Sequence, residues 1–92
     1  MKTKIYGTIR TIGEVKTYPK TTFKNQALII QDNNDDVFKV EFGENQFKDI
    51  KDLLLGNDVK ILANLTSRSH QKEDGSVEYY LSLKGYSVTK ID

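Results

Sequence analysis

The chain has 92 residues, the size of one small domain, and a formal net charge of +1 at pH 7. It contains no cysteine and a single histidine, His70, which excludes disulfide frameworks, thiolate metal sites and multi-histidine metal sites. The charge is uneven: residues 1–31 carry +5, residues 32–58 carry −5 and residues 59–92 carry +1. A fold that gathers the first and last thirds of the chain on one face would suit a polyanionic partner. The alternative is that the mixed charges only keep the domain soluble.

The first third of the chain predicts two strands. Residues 4–15 alternate apolar and polar side chains at the two-residue period of a β-strand. The alternation breaks near Gly13, where we expect a bulge or a bend. Residues 23–32 contain the continuous apolar run Ala27–Ile30, which is typical of a central strand. The polar loop 16–22, which contains the only proline, joins the two strands.

A third strand and one helix follow. A turn rich in Asn and Asp, residues 31–36, precedes the third predicted strand at residues 37–42. Apolar residues at helical spacing from Phe47 to Leu54 then predict a helix of about three turns. Asn45 fits its N-cap, and Gly56 stands where a left-handed C-terminal glycine belongs.

Two further strands, residues 58–68 and 76–88, are joined by a hairpin with Asp74-Gly75 at its turn. The order is therefore β-β-β-α-β-β. Five short strands in an open sheet would leave two long edges, whereas closure into a barrel removes them and lets the helix plug one end. We predict an all-β protein with one helix, a five-stranded OB-fold barrel, in a single domain spanning residues 1–92.

Several motifs carry a family resemblance. Phe42-Gly43 ends the third strand, Gly56 follows Gly43 by thirteen positions across the helix, Arg68 lies on the fourth strand, and the fifth strand is rich in hydroxyl and aromatic residues. Over roughly residues 37–88 this pattern resembles bacterial single-stranded DNA-binding proteins. The stretch FKNQALIIQ and the fourth strand also resemble a small uncharacterised family of Bacteroidetes OB-fold proteins.

The resemblance implies sequence-nonspecific binding of single-stranded DNA, in replication, recombination or repair. Such proteins stack bases on aromatic rings and contact phosphates with basic groups. The family's stacking positions correspond to Phe42 and His70, and its basic positions on strand four to Thr66 and Arg68. The family's tryptophans are absent. We expect no cofactor, a homo-oligomer (dimer or tetramer) because the domain is small, and no flexible linker or acidic terminal peptide after Asp92.

Twelve residues are candidate nucleic-acid contacts, and most have a competing interpretation. Phe42 shares its strand face with Phe38 and Val40, which favours a core position, and a core position is also favoured for Phe23. Tyr18 contacts nucleic acid or packs within its own turn. The candidates are Arg10, Lys16, Tyr18, Lys20, Phe23, Lys24, Phe42, Lys60, Arg68, His70, Tyr80 and Lys84.

Strand parity separates the two adjacent tyrosines of the fifth strand. Tyr79 shares a face with Leu81 and is expected in the core, whereas Tyr80 is expected to face outward as a stacking platform or an oligomer contact. Arg68 is expected to contact phosphate or to form a surface ion pair.

Other functions stay open at this point. An OB-fold protein-interaction domain or accessory subunit is one alternative, and RNA binding is another. An enzyme is not expected, because the sequence contains no Gly-rich phosphate loop and no Ser-His-Asp spacing. No apolar run is long enough for a membrane span, and the N-terminus lacks the apolar stretch of a signal peptide, so we expect a cytoplasmic protein without membrane contact.

Overall fold

The computed structural model describes residues 1–91; Asp92, one of the acidic residues counted in the last third, lies outside them. A 3-10 turn (Glu44–Gln46) runs into a one-turn helix, α1 (Phe47–Ile50). No helix within the described residues is long and apolar enough to span a membrane. The strands are β1 (Lys2–Ile12), β2 (Lys16–Thr17), β3 (Lys24–Gln31), β4 (Val37–Gly43), β5 (Asp58–Gln71) and β6 (Val77–Ile91).

Five of these strands close into a barrel. β3 pairs antiparallel with β1 and with β4, β5 pairs antiparallel with β1 and with β6, and β4 pairs parallel with β6. The two-residue strand β2 adds to the edge of β3. This is the predicted OB-fold topology, all-β with one helical segment between the third and fourth barrel strands. The predicted irregularity in β1 is also present, with the register shift between Ile9 and Thr11 rather than at Gly13.

Inward-facing side chains of every barrel strand form the core. Ile50 and Leu53 from the helical segment are buried with them and close one end of the barrel. Gly85 lies against the Phe42 ring, and a Cβ at that position would collide with it. The core residues are Ile5, Ile9, Leu28, Ile30, Val40, Phe42, Ile50, Leu53, Val59, Ile61, Ala63 and Val88.

The predicted three-turn helix is wrong in length. The helix ends at Ile50, Asn45 does not cap it, and Leu54 is 68% exposed. The reason is that the following backbone bonds to β1: the Gly56 N–H donates to the Ile9 carbonyl at 2.8 Å. Gly56 has the predicted left-handed conformation, with φ of +88°, but it serves this loop and not a helix C-terminus.

β5 and β6 extend beyond the barrel as a two-stranded arm. β1 accompanies β5 only as far as Asn64, and β4 accompanies β6 only at Leu83–Gly85. Residues 66–71 and 77–82 therefore pair only with each other, and we call residues 66–82 the hairpin arm. The prediction that Tyr79 and Leu81 lie in the core is wrong, because no other element covers their face, and they are 76% and 74% exposed.

Candidate nucleic-acid interface

A groove crosses the outer face of β3 and β4, between the β1–β3 connection and the hairpin arm. It consists of two neighbouring cavities of about 460 and 230 Å³ that share Tyr18, Asn25 and Glu41. The remaining side chains that we assign to the groove are Thr11, Glu14, Lys16, Phe23, Ala27, Ile29, Lys39, Arg68 and Lys84.

Strand alternation places these residues on the outer face. Leu28 pairs with Val40, and both are fully buried. Their neighbours along the strands must then point outward, since successive side chains alternate between faces. The outward pairs include Ala27 with Glu41 across β3 and β4, and Glu41 with Lys84 across β4 and β6. The same packing that fills the core therefore builds the groove floor.

Three polar side chains form the centre of the floor. Oε2 of Glu41 accepts one hydrogen bond from Asn25 Nδ2 at 3.0 Å and another from Lys84 Nζ at 3.1 Å. Asn25 is the one buried polar residue among those described, at 6% exposure. Burial alone would raise the pKa of Glu41, but the hydrogen bond and charge of Lys84, with help from Asn25, hold this pKa below its ordinary value. Glu41 is therefore ionised at neutral pH.

An aromatic pair forms one wall. The rings of Tyr18 and Phe23 have centroids 5.7 Å apart and are tilted by 39°. Thr21 holds the turn between them, because its hydroxyl donates to the Tyr18 carbonyl at 3.1 Å and accepts from the Phe23 N–H at 3.2 Å. Tyr18 is 44% exposed and Phe23 is 58% exposed. The favoured core position for Phe23 is therefore wrong, and both rings offer accessible π faces at the groove.

The hairpin arm forms the opposite wall. Arg68 pairs with Tyr80 across the two arm strands, and both side chains lie on the face that continues from Lys84. The Tyr80 hydroxyl donates to Glu78, which also forms an ion pair with Lys72. The hydrogen bond to Glu78 raises the pKa of Tyr80, so its hydroxyl stays protonated at neutral pH. Among residues 1–91, Arg68 forms no ion pair, which leaves its guanidinium available to an anion.

The sequence matches, over residues 4–89, the family described as a domain of unknown function, DUF3127. The chain belongs to this family. No curated protein sequence matches it.

Solved structures show the fold. The Saccharomyces cerevisiae mitochondrial single-stranded DNA-binding protein Rim1 superimposes in one crystal form with a TM-score of 0.77 at 16% identity, over 99% of this chain and 95% of that chain. A second crystal form gives 0.71 at 18%, over 98% and 91%. The Plasmodium falciparum SSB in complex with ssDNA gives 0.70 at 14%, over 99% and 94%. The resemblance seen in the sequence is thus confirmed at the level of the fold.

The groove brings together five of the twelve predicted contact residues. Lys16, Tyr18 and Phe23 line it from the β1–β3 connection, and Arg68 and Lys84 line it from β5 and β6. Two further predicted lysines are exposed next to the aromatic wall. Lys20 lies in the turn between Tyr18 and Phe23, and Lys24 is the first residue of β3.

Other predicted contact residues lie elsewhere. Phe42 is fully buried, so the prediction that it stacks bases is wrong and the core position is confirmed. Lys60 pairs with Tyr6 and lies up to about 26 Å from Arg68 along β5, at 3.3 Å per residue. Arg10 lies outside the groove, where its Nε donates to Gln31 at 2.8 Å. His70 is exposed near the tip of the arm, opposite Glu78.

The sequence reasoning missed three groove residues, Asn25, Lys39 and Glu41. The signal for Lys39 and Glu41 was present, since both lie on the face of β4 opposite Val40 and Phe42. Asn25 was hidden because it precedes a continuous apolar run in which parity is hard to recognise.

Proposed function

We propose that the protein binds single-stranded DNA in the groove, as a non-enzymatic protein of replication, recombination or repair. The observation that carries this proposal is the pairing of an exposed aromatic wall, Tyr18 and Phe23, with a basic wall at Arg68 on an OB-fold barrel. Single-strand binders combine these two features, because aromatic rings stack bases and basic groups follow the backbone.

Each wall has its own role in this proposal. Bases stack on Tyr18 and Phe23, and further along on Tyr80, which is half exposed on the outer face of the arm. Lys16, Lys39 and Arg68 contact phosphates along the groove. Stacking contributes about 1–3 kcal/mol per base and is tolerant of sequence, so these contacts accept any strand.

The structural neighbours support the proposal at the level of the fold. Rim1 is named as a single-stranded DNA-binding protein, and the Plasmodium SSB structure is a complex with ssDNA. Both cover nearly the whole chain, including the arm and the β1–β3 connection that build the groove walls.

Fluorescence titration of a labelled oligo-dT at two salt concentrations tests the proposal. Log affinity is expected to fall with log salt by about 0.7 for each phosphate contacted. A duplex of equal length, which cannot offer its bases to the aromatic wall, is the control and is expected to bind far more weakly. Absence of binding at low salt, or equal binding of the duplex, would overturn the proposal. An RNA oligomer of matching sequence measures the preference between DNA and RNA.

We also propose that the protein self-associates through the inner face of the hairpin arm. Tyr79 and Leu81 on β6, together with Val37 and Tyr6 of the barrel, are exposed around this face. Leu81, Val37 and Tyr6 line a largely apolar cavity of about 550 Å³ at the base of the arm. An exposed apolar surface of this kind marks an interaction site. A second copy offers the same surface, so the contact is self-complementary.

Light scattering of the wild type and of Leu81→Glu tests the self-association. The variant is expected to be monomeric at concentrations at which the wild type is a dimer or larger. Thr66→Glu is the control, since it adds the same charge on the opposite face of the arm. A monomeric wild type would contradict self-association and favour the interaction-domain function, in which a different protein covers this face.

A further inference from the structure

The hydrogen bonding of the groove floor is asymmetric. Both donors to Glu41, the Asn25 amide and the Lys84 ammonium, bond to the same oxygen, Oε2. Within residues 1–91, Oε1 of Glu41 and Oδ1 of Asn25 accept no hydrogen bond, and neither is sealed from solvent. Two acceptors are thus open beside an ammonium group that has two further hydrogens to donate.

We infer that this floor binds the Watson–Crick edge of a guanine base, an inference that rests on the proposed binding of single-stranded DNA. Guanine presents two adjacent donors, N1–H and the N2 amino group, next to the O6 acceptor. The two donors bond to Glu41 Oε1 and Asn25 Oδ1, and the Lys84 ammonium donates to O6. Adenine, cytosine and thymine each lack the adjacent pair of donors, so they leave one acceptor of the floor unmatched.

The surroundings of the floor fit a base. The cavity of about 460 Å³ that contains Asn25, Glu41 and Lys84 is also lined by Tyr18 and Phe23. A base that is stacked on this aromatic wall can therefore extend its edge toward the floor. Splayed bases that stack on aromatic rings and bond through their Watson–Crick edges are the usual targets of single-strand recognition.

The charge of the floor favours a base over a phosphate. In the larger cavity Glu41 places a carboxylate beside the basic groups of Arg68 and Lys84. The other carboxylate of the groove, Glu14, lines the smaller cavity. Lys84 contacts the Glu41 carboxylate through one of its two oxygens, Oε2, at 3.1 Å. A phosphate over Glu41 would be repelled, whereas a neutral base with donors is attracted. Glu41 therefore weakens the binding of a phosphate at this position and strengthens the binding of a guanine base.

Competition with oligo-dT strands that carry a single central substitution tests the inference. Placing dG at the centre is expected to strengthen binding about fivefold over dT, at the low end for a paired readout of this kind because the floor is open to water. Central dA controls for the better stacking of a purine, and central inosine lacks only the N2 amino group. The expected order is dG first, inosine second, and dA and dT last.

Glu41→Gln supplies the second measurement. The variant is expected to lose the preference for dG, so that the central dG strand binds no better than the central dA strand. Asp52→Asn, which removes an exposed charge outside the groove, is expected to keep the preference.

The two proposals fail differently in this experiment. Binding of all-dT without a preference for dG over dA, or a preference that survives in Glu41→Gln, would overturn the guanine site and leave single-stranded DNA binding intact. No binding of any strand would overturn both. The inosine and dA strands test the inference on the wild type alone, so a variant that fails to fold does not decide it.

Discussion

The barrel and the hairpin arm are built from the same two long strands, β5 and β6, but only the barrel has a core. Val59, Ile61 and Ala63 of β5 are fully buried in the barrel, where β5 pairs with β1 on one side and with β6 on the other. In the arm, Tyr79 and Leu81 of β6 lie on the strand face that continues from the core. They are nevertheless exposed, because no third strand reaches them. Alternation thus decides which face a side chain occupies, and the neighbouring strands decide whether that face is covered.

The largest expected difference between the two regions is in stability. Phe42→Ala in the barrel is expected to lower the free energy of unfolding by about 3–5 kcal/mol, because it opens a cavity in the core. Tyr79→Ala in the arm is expected to change it by less than about 0.5 kcal/mol when the protein is monomeric. Denaturant unfolding of both variants at low protein concentration measures this difference. An effect of Tyr79→Ala that matches Phe42→Ala would mean that the inner face of the arm is covered within one chain.

The aromatic wall of the barrel is expected to matter most for binding. Tyr18→Ala and Phe23→Ala are each expected to weaken oligo-dT binding by about 1–3 kcal/mol, the value of one stacked base, with little loss of stability because both rings are exposed. Tyr86→Ala is the matched control, since Tyr86 is equally exposed but lies with Lys2 and Leu62 outside the groove. Equal losses at Tyr86 and Tyr18 would place the DNA path elsewhere.

The basic residues of the two regions are expected to act through salt dependence. Arg68→Ala on the arm and Lys16→Ala on the barrel are each expected to lower the slope of log affinity against log salt by about 0.7, one phosphate contact apiece. Lys60→Ala is the control, because Lys60 lies on β5 far from the groove. A slope that falls in Lys60→Ala and not in Arg68→Ala would exclude the arm from the binding path.

The smallest expected effect is on the acid stability of the barrel. Because the folded protein holds the pKa of Glu41 below its ordinary value of 4.5, the ionised carboxylate stabilises the fold above that value, and this contribution disappears as the pH falls through the folded-state pKa. Glu41→Gln is therefore expected to be destabilising at about pH 7, by less than about 1 kcal/mol since the pair is partly exposed, and less destabilising at about pH 3. Urea unfolding at both pH values measures the difference, and an equal or larger effect in acid would contradict it.

The parts of the fold that were predictable are those encoded by local alternation. The faces of β1, β4, β5 and β6 could be predicted, including the outward position of Tyr80 opposite Arg68. The helix length could not, because the apolar spacing around Leu53 and Leu54 is equally compatible with a loop that bonds to β1. The exposure of Tyr79 depends on where β4 ends relative to β6, a relation between distant segments that no local pattern contains.

The candidate site was predictable for the same reason only in part. Lys16, Tyr18 and Arg68 attract attention by residue type in a loop or on an outward face. Asn25 and Glu41 do not attract attention in this way. A carboxylate such as Glu41 argues against nucleic-acid binding in the sequence alone, because only the fold shows that Lys84 lies beside it. That contact joins residues 43 positions apart in the chain.

The short parallel pairing of β4 with β6 has a consequence for how the protein folds. Only three residue pairs, from Val40–Leu83 to Phe42–Gly85, connect the two strands, and forming them closes a loop of more than 40 residues. The entropy of that closure is offset by few contacts. We therefore expect the β4–β6 pairing to form after the β3–β4 and β5–β6 hairpins and to open before them. The Glu41–Lys84 ion pair also joins β4 to β6. A DNA strand bound across this pairing would hold β4 and β6 together. Hydrogen exchange at Gly85, measured with and without oligo-dT, would then be slower in the bound protein.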